Sequence, residues 1–184
     1  MRDKVDDVIR FHGHLCPGLA IGVRAAEIAL REVGPRAADE QLVAIVETDM
    51  CAVDAIQYLL GCTFGKGNLI HKDYGKNAFT FVRRADGKAI RVVTKPAAWE
   101  VGPPNVPESN REARRQARAR AILDADEADL FGVRETYVRV PDEARVHPSV
   151  RCEECGEDVM ETRIRRIHGR HLCIPCFERY ERRW

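Results

Sequence analysis

The sequence predicts an α+β domain followed by a small zinc-stabilised module. Three observations predict it. Helix-spaced and strand-length apolar segments mix in the first hundred residues without a repeating β-α-β order. Asp86-Gly87, set between two apolar runs, is a hairpin signal rather than a crossover. Four of the seven cysteines stand near the end as two Cys-x2-Cys pairs, a spacing that closes around a metal.

Residues 3–11 carry Val5, Val8, Ile9 and Phe11, a short helical stripe. His12-Gly13-His14-Leu15-Cys16-Pro17-Gly18 interrupts it. Leu19, Val23, Ala26, Leu30 and Val33 then mark a second helix, with Ile21, Ala25 and Ile28 as a further stripe. A face that wide predicts a largely buried helix, with Pro17 in its first turn and Gly34-Pro35 as its stop. Leu42-Val43-Ala44-Ile45-Val46 reads as a central strand covered on both faces. Thr48 or Asp49 is expected to cap the following helix, which shows Val53, Ile56 and Leu60 on one side and stops at Gly61. Phe79–Val82 and Ala89–Val93 form the expected hairpin.

A proline-rich joint at 102–110 precedes a helix former carrying five arginines between Arg111 and Arg120. Asp124, Asp126, Glu127 and Asp129 balance that charge, so a solvated helix face is the expected role. Another link runs over 141–150, with Pro141 and Pro148. The expected organisation is a core domain at 1–100, a helical linker region at 101–149 and a finger at 150–184.

Composition bounds the function. Of the 184 residues 45% are apolar and 32% charged, enough for a core and too ordered for a disordered chain. The net charge of +1 supplies no global field for nucleic acid or an anionic membrane. No apolar run approaches the roughly 20 residues that cross a bilayer. The charged opening Met1-Arg2-Asp3-Lys4 lacks a signal-peptide core, so the expected compartment is the cytoplasm. In a reducing compartment, clustered cysteines point to metal or redox sites before disulfides.

Cys152-x2-Cys155 and Cys173-x2-Cys176, seventeen residues apart, supply a four-thiolate shell for structural zinc. The strand-like 161–167, a turn at His168-Gly169, and Phe177, Tyr180 and Trp184 at helical spacing give a treble-clef order of knuckle, hairpin and helix. His168 and His171 are then hairpin residues rather than ligands. About 35 residues hold too little core to fold without such a staple. Eight arginines face seven acids in 150–184, so protein docking is expected here rather than nucleic-acid reading.

The N-terminal loop carries the second constellation. If extended, it sends His12, His14 and Cys16 to one side, and the helix beginning at Pro17 favours a Cys16 thiolate. Cys51 and Cys62 flank the next helix and are candidate partners. One or two His with one or two Cys suits zinc or another thiophilic metal. The candidate core ligands are His14, Cys16, Cys51 and Cys62. Gly61-x3-Gly65-Lys66-Gly67 has the wrong spacing for a phosphate loop, although Lys66 could meet an anionic substrate.

Four ordered segments, Phe11–Gly18, Cys51–Gln57, Gly61–Leu69 and Asp73–Phe81, resemble the FmdE family, named after one component of formylmethanofuran dehydrogenase. The match runs across residues 8–95, and the four-cysteine tail resembles the finger that some members add. The resemblance implies a thioredoxin-like core with a mixed sheet flanked by helices, a treble-clef finger, and a metal-binding active site around the His-x-Cys-Pro-Gly loop. It links the chain to the molybdenum or tungsten formylmethanofuran dehydrogenase, although no motif here assigns a pterin or iron–sulfur clusters. Two functions stay open: a small metalloenzyme or accessory subunit, and a non-catalytic zinc-finger regulator. In the first, Cys16 and His14 are candidate catalytic residues, with Asp54, Lys66 and Asp73 facing substrate or supporting the ligands. A protein partner or a homodimer is the expected assembly. The substrate stays unassigned.

Overall fold

The first apolar stripe forms α1 (Val5–His12), which ends where Gly13 takes φ 99° and its N–H returns to the Ile9 carbonyl at 2.7 Å. The computed structural model describes residues 4–102, 110–140 and 142–181. Pro17 opens α2 (Pro17–Glu32), and the Cys16 sulfur caps it by accepting the Leu19 N–H at 3.3 Å. Leu19, Ile21 and Ile28 of α2 are wholly buried or nearly so, worth roughly 1.5–3 kcal/mol each.

β1 (Leu42–Val46) is buried along its whole length, as the unbroken apolar run requires. It leads into α3 (Ala52–Leu60), which stops at Gly61 with φ 67°. The expected cap differs. Cys51 occupies the N-cap without a side-chain bond, because the Thr48 hydroxyl accepts the Met50 N–H at 3.3 Å in the turn before the helix. β2 (Leu69–His71), β3 (Ala78–Arg83) and β4 (Ala89–Thr94) follow. The β3–β4 hairpin turns through Gly87 at φ 73°, braced by an Arg83–Asp86 ion pair at 2.6 Å.

With β5 (Phe131–Thr136) these strands make one mixed sheet in the order β2-β1-β3-β4-β5. β1 and β2 run parallel across α3, and every other pair is antiparallel. This is a mixed sheet packed with helices, the α+β core that the resemblance implied. The main core lies on one face, where α1, α2 and α3 meet Leu42, Ala44, Phe79 and Phe81. The other face is covered differently: Val43, Ile45, Val82 and Ala89 pack with Ile70, Val138 and Val140 of non-helical chain.

The expected linker region is not a linker. α4 (Arg111–Asp124), the short α5 (Glu127–Leu130) and β5 belong to the same compact unit as the sheet, which runs over Met1–Ala144. Ala119 and Ile122 bury against the main core, and β5 pairs with β4 from Phe131 to Thr136. Arg24 of α2 donates to the carbonyls of Ile122, Leu123 and Ala125 at 3.0, 3.0 and 2.6 Å. A cation from α2 thus satisfies the free carbonyls that end α4. The proline-rich joint lies outside the described residues at 103–109, as do Pro141 and Trp184.

The second unit is Arg145–Trp184. β6 (Ser149–Arg151) and β7 (Asp158–Met160) pair around the first cysteine knuckle. β8 (Ile164–Ile167) and β9 (Arg170–Cys173) form the hairpin, and α6 (Ile174–Glu181) begins within the second knuckle. His168 and Gly169 turn the hairpin with φ 48° and 82°, the doubly left-handed geometry of a type I′ loop. No helix among the described residues is long and apolar enough to cross a membrane.

Candidate functional site

Two helix starts meet in the first unit. Cys16 is the N-cap of α2 and Cys51 the N-cap of α3. Glycines of α2 allow the approach. A Cβ on Gly22 would stand 2.2 Å from the Ala52 carbonyl oxygen, and one on Gly18 would stand 3.2 Å from the Cys51 Cβ. Backbone therefore lies on backbone where the helices cross, and the two thiols are drawn together.

His12 completes the group. Its donor atom and the sulfurs of Cys16 and Cys51 all lie within 4.8 Å of one another. The imidazole is oriented from behind: His12 Nδ1 lies 2.7 Å from Asp54 Oδ2, and Nε2 lies 3.9 Å from the Cys16 sulfur. With Nδ1–H donating to the carboxylate, the Nε2 lone pair faces the thiols, the usual support of a metal-binding histidine. Burial pushes the Cys51 thiol up, and its neighbour Cys16 adds to that, whereas the charge of Arg115 pulls it down. Two thiols and an imidazole facing one point fit a thiophilic cation, which would relieve the repulsion between the sulfurs.

The finger's ligands come from two knuckles. The sulfurs of Cys152, Cys155, Cys173 and Cys176 lie within 4.8 Å of one another, with Cys155 and Cys173 at 3.9 Å. The Cys152 thiol is held low, at about 6, by backbone N–H groups of Cys155 and Cys173. The Cys176 thiol is pushed up to about 12, chiefly by the adjoining Cys173 sulfur. Four thiols this close cannot all ionise without a cation among them, which is what a closed zinc shell supplies. Arg170 binds Glu154 at 2.8 Å and the Tyr180 hydroxyl at 2.8 Å, tying the first knuckle to α6.

Comparison with known proteins bears on both units. Residues 11–132 match the family model described as FmdE, molybdenum formylmethanofuran dehydrogenase operon. The chain belongs to the FmdE family. Residues 148–182 match the prokaryotic dksA/traR C4-type zinc finger. A curated relative, named as a probable S-adenosyl-L-methionine-binding protein of Archaeoglobus fulgidus, is 34% identical over 192 aligned residues. That alignment covers 92% of this chain and 51% of the relative, so the chain spans about half of that protein's length. The crystal structure of an FmdE-like protein of the tungsten formylmethanofuran dehydrogenase type, from Syntrophus aciditrophicus, superposes with a TM-score of 0.69 at 24% identity. It covers 96% of this chain and 91% of that one, and it shows the shared fold.

Within this FmdE core, the sequence-derived candidates part company. Cys16 and Cys51 come together, and Asp54 stands behind His12. His14 is not in the group. α1 stays helical to His12, so Gly13 turns the chain and His14 faces outward, 2.8 Å from Arg115. Cys62 is not in it either: its thiol, pushed up to about 12 by burial, donates to the Leu42 carbonyl at 3.5 Å. Lys66 Nζ donates to the Asp39 carbonyl at 3.0 Å, and Asp73 lies in the exposed loop between β2 and β3. The Gly18-x3-Gly22 spacing in a helix was the signal for the α2–α3 approach. Arg115 carried no spacing signal towards His14, 101 positions earlier.

Proposed function

We propose that this FmdE-family chain is a small metalloprotein that holds a zinc-type ion on His12, Cys16 and Cys51, and a second, structural zinc on the four finger cysteines. The observation that carries the reading is the convergence of one imidazole and two thiols within 4.8 Å, with a carboxylate behind the imidazole. Three protein donors leave a tetrahedral ion one open position, the mark of a working rather than a closed site. An ion held there would act as a Lewis acid towards a ligand or water in that position.

The chain's own residues divide the work. Asp54 fixes the tautomer and angle of His12 by accepting from Nδ1. The N-termini of α2 and α3 bring Cys16 and Cys51, each at an N-cap, to the same point. Gly18 and Gly22 keep the two sulfurs in register. S-Adenosyl-L-methionine, the ligand in one relative's name, is a small molecule to test at the open position. The finger is read as the docking element towards a protein partner, a dehydrogenase assembly or a second copy of the chain.

Metal content per chain tests this directly. The full chain should carry two ions, Cys16→Ser and His12→Ala one, and both variants should keep the wild-type melting profile of the finger. A wild-type chain with a single ion that Cys16→Ser retains would overturn the core site.

A further inference from the structure

We propose that Arg115 is the anion-recognition residue of the core site, and that the ligand admitted there carries an oxyanion, a carboxylate or a phosphate. The inference deepens the metal reading and rests on it only for where the ligand sits.

The geometry begins with α4. Asn110 caps this helix by accepting the Ala113 N–H at 3.0 Å, and Arg24 fixes its other end. Ala119 and Ile122 bury one of its faces. α4 is therefore positioned without help from Arg115, which is exposed and reaches across to the His12–Cys16 loop. There its Nη2 stands 2.8 Å from His14 Nε2, and the His14 ring lies 4.7 Å from the His12 ring. Guanidinium, His14, His12 and the thiols form one continuous run of polar groups.

What Arg115 lacks is as informative as what it touches. Arg24, Arg31 and Arg91 of this unit are neutralised, by Glu27 at 3.1 Å, Glu127 at 2.9 Å and Glu47 at 2.8 Å. Among the described residues no carboxylate pairs with Arg115. Its one hydrogen-bond partner there is the His14 imidazole, to which the guanidinium donates. A guanidinium has five N–H donors in a fork that matches a carboxylate or phosphate edge to edge. Arg115 thus keeps most of its donors free on the rim of a site with an open position. His14, expected from the sequence as a ligand or catalytic group, becomes the residue that aims this fork.

Alkylation with a charged and an uncharged reagent tests the assignment without requiring metal. Cys51 in the full-length chain is labelled with iodoacetate or iodoacetamide at constant ionic strength, and the rate at that peptide is read by mass spectrometry. Any change in thiolate fraction or metal occupancy affects both reagents and cancels in their ratio. The iodoacetate-to-iodoacetamide ratio should fall about fivefold from wild type to Arg115→Ala, the effect of one unit charge about 4 Å away in water. Arg115→Lys should keep most of it, Arg115→Gln should lose it while retaining a side chain of useful length, and the ratio at Cys155 should not move. Inorganic phosphate or acetate should slow iodoacetate labelling of wild type and not of Arg115→Gln. Stronger protection by phosphate identifies a phosphorylated ligand, and stronger protection by acetate a carboxylate. An unchanged ratio in both neutral variants, or protection by neither ion, overturns the proposal. A core without metal whose ratio still falls would remove the metal reading and leave the anion site standing.

Discussion

The finger and the core each gather cysteines, yet they are built on different terms. In the finger, four thiols come from two Cys-x2-Cys knuckles with little apolar mass around them, and Cys152, Cys173 and Cys176 are most of its buried cluster. There the sulfurs are the core, so metal and fold stand together. In the sheet unit Cys16 is one member of a large apolar cluster, against which Cys51 packs. The lesson is that cysteines make up most of the buried cluster where no other core exists, and are a small part of it where one does.

The largest expected effect breaks the finger alone. Cys173→Ser, or chelation, should unfold residues 145–184, as seen by protease sensitivity, because structural zinc contributes about 10–16 kcal/mol in small fingers. The five-stranded sheet should keep its cooperative melting, and a joint collapse of both units would erase the contrast. Next in size is the α2–α3 crossing. Gly22→Val puts side-chain atoms where even a Cβ meets the Ala52 oxygen at 2.2 Å, so the sheet unit should lose about 1–3 kcal/mol or more in denaturant melts. The finger should not notice.

The boundary between the regions is a third place to press. A fragment ending at residue 100 lacks α4 and β5, leaving β4 as an open edge and Arg24 without its three carbonyls. It should melt broadly, whereas 1–144 should melt cooperatively by calorimetry. A smaller effect sharpens the account of the core site: Asp54→Asn should weaken metal uptake there by about 10–100-fold while leaving stability nearly unchanged, read by competition with a chelating dye.

The smallest effect separates a structural thiol from the ligands. Burial raises the Cys62 pKa from 9.0 to about 12. Below pH 9 the thiol is protonated in folded and unfolded chains alike, and its contribution is fully present. Between 9 and 12 the unfolded chain ionises first, so stability should fall by up to about 1.4 kcal/mol per pH unit. Cys62→Ala should flatten that slope in urea melts taken across the range.

How far the sequence revealed each region follows from where its partners lie along the chain. The finger was legible because each knuckle is local and its turn residues, His168 and Gly169, announce the hairpin. α2, β1 and the β3–β4 hairpin were legible from apolar period and from Asp86-Gly87. β5 was not, because an edge strand exposed from Gly132 to Glu135 shows no buried alternation. The choice between His12 and His14 turned on one residue. A loop extended from residue 12 would project both, whereas α1 holds His12 inward and Gly13 sends His14 to Arg115. Cys51 and Cys62 looked equivalent by position, and only the glycine-lined crossing of α2 and α3 favours the first.

The central claim is that this chain holds two unlike metal shells, and X-ray absorption at the zinc edge of the full-length protein measures them together. A closed shell of four cysteine sulfurs plus a core shell of Cys16, Cys51, His12 and one light atom averages about three sulfurs and one nitrogen or oxygen per ion, at distances near 2.3 and 2.0–2.1 Å. In Cys16→Ser the average should return to four sulfurs with one zinc per chain. An all-sulfur shell in the wild type, unchanged by Cys16→Ser, would contradict the account.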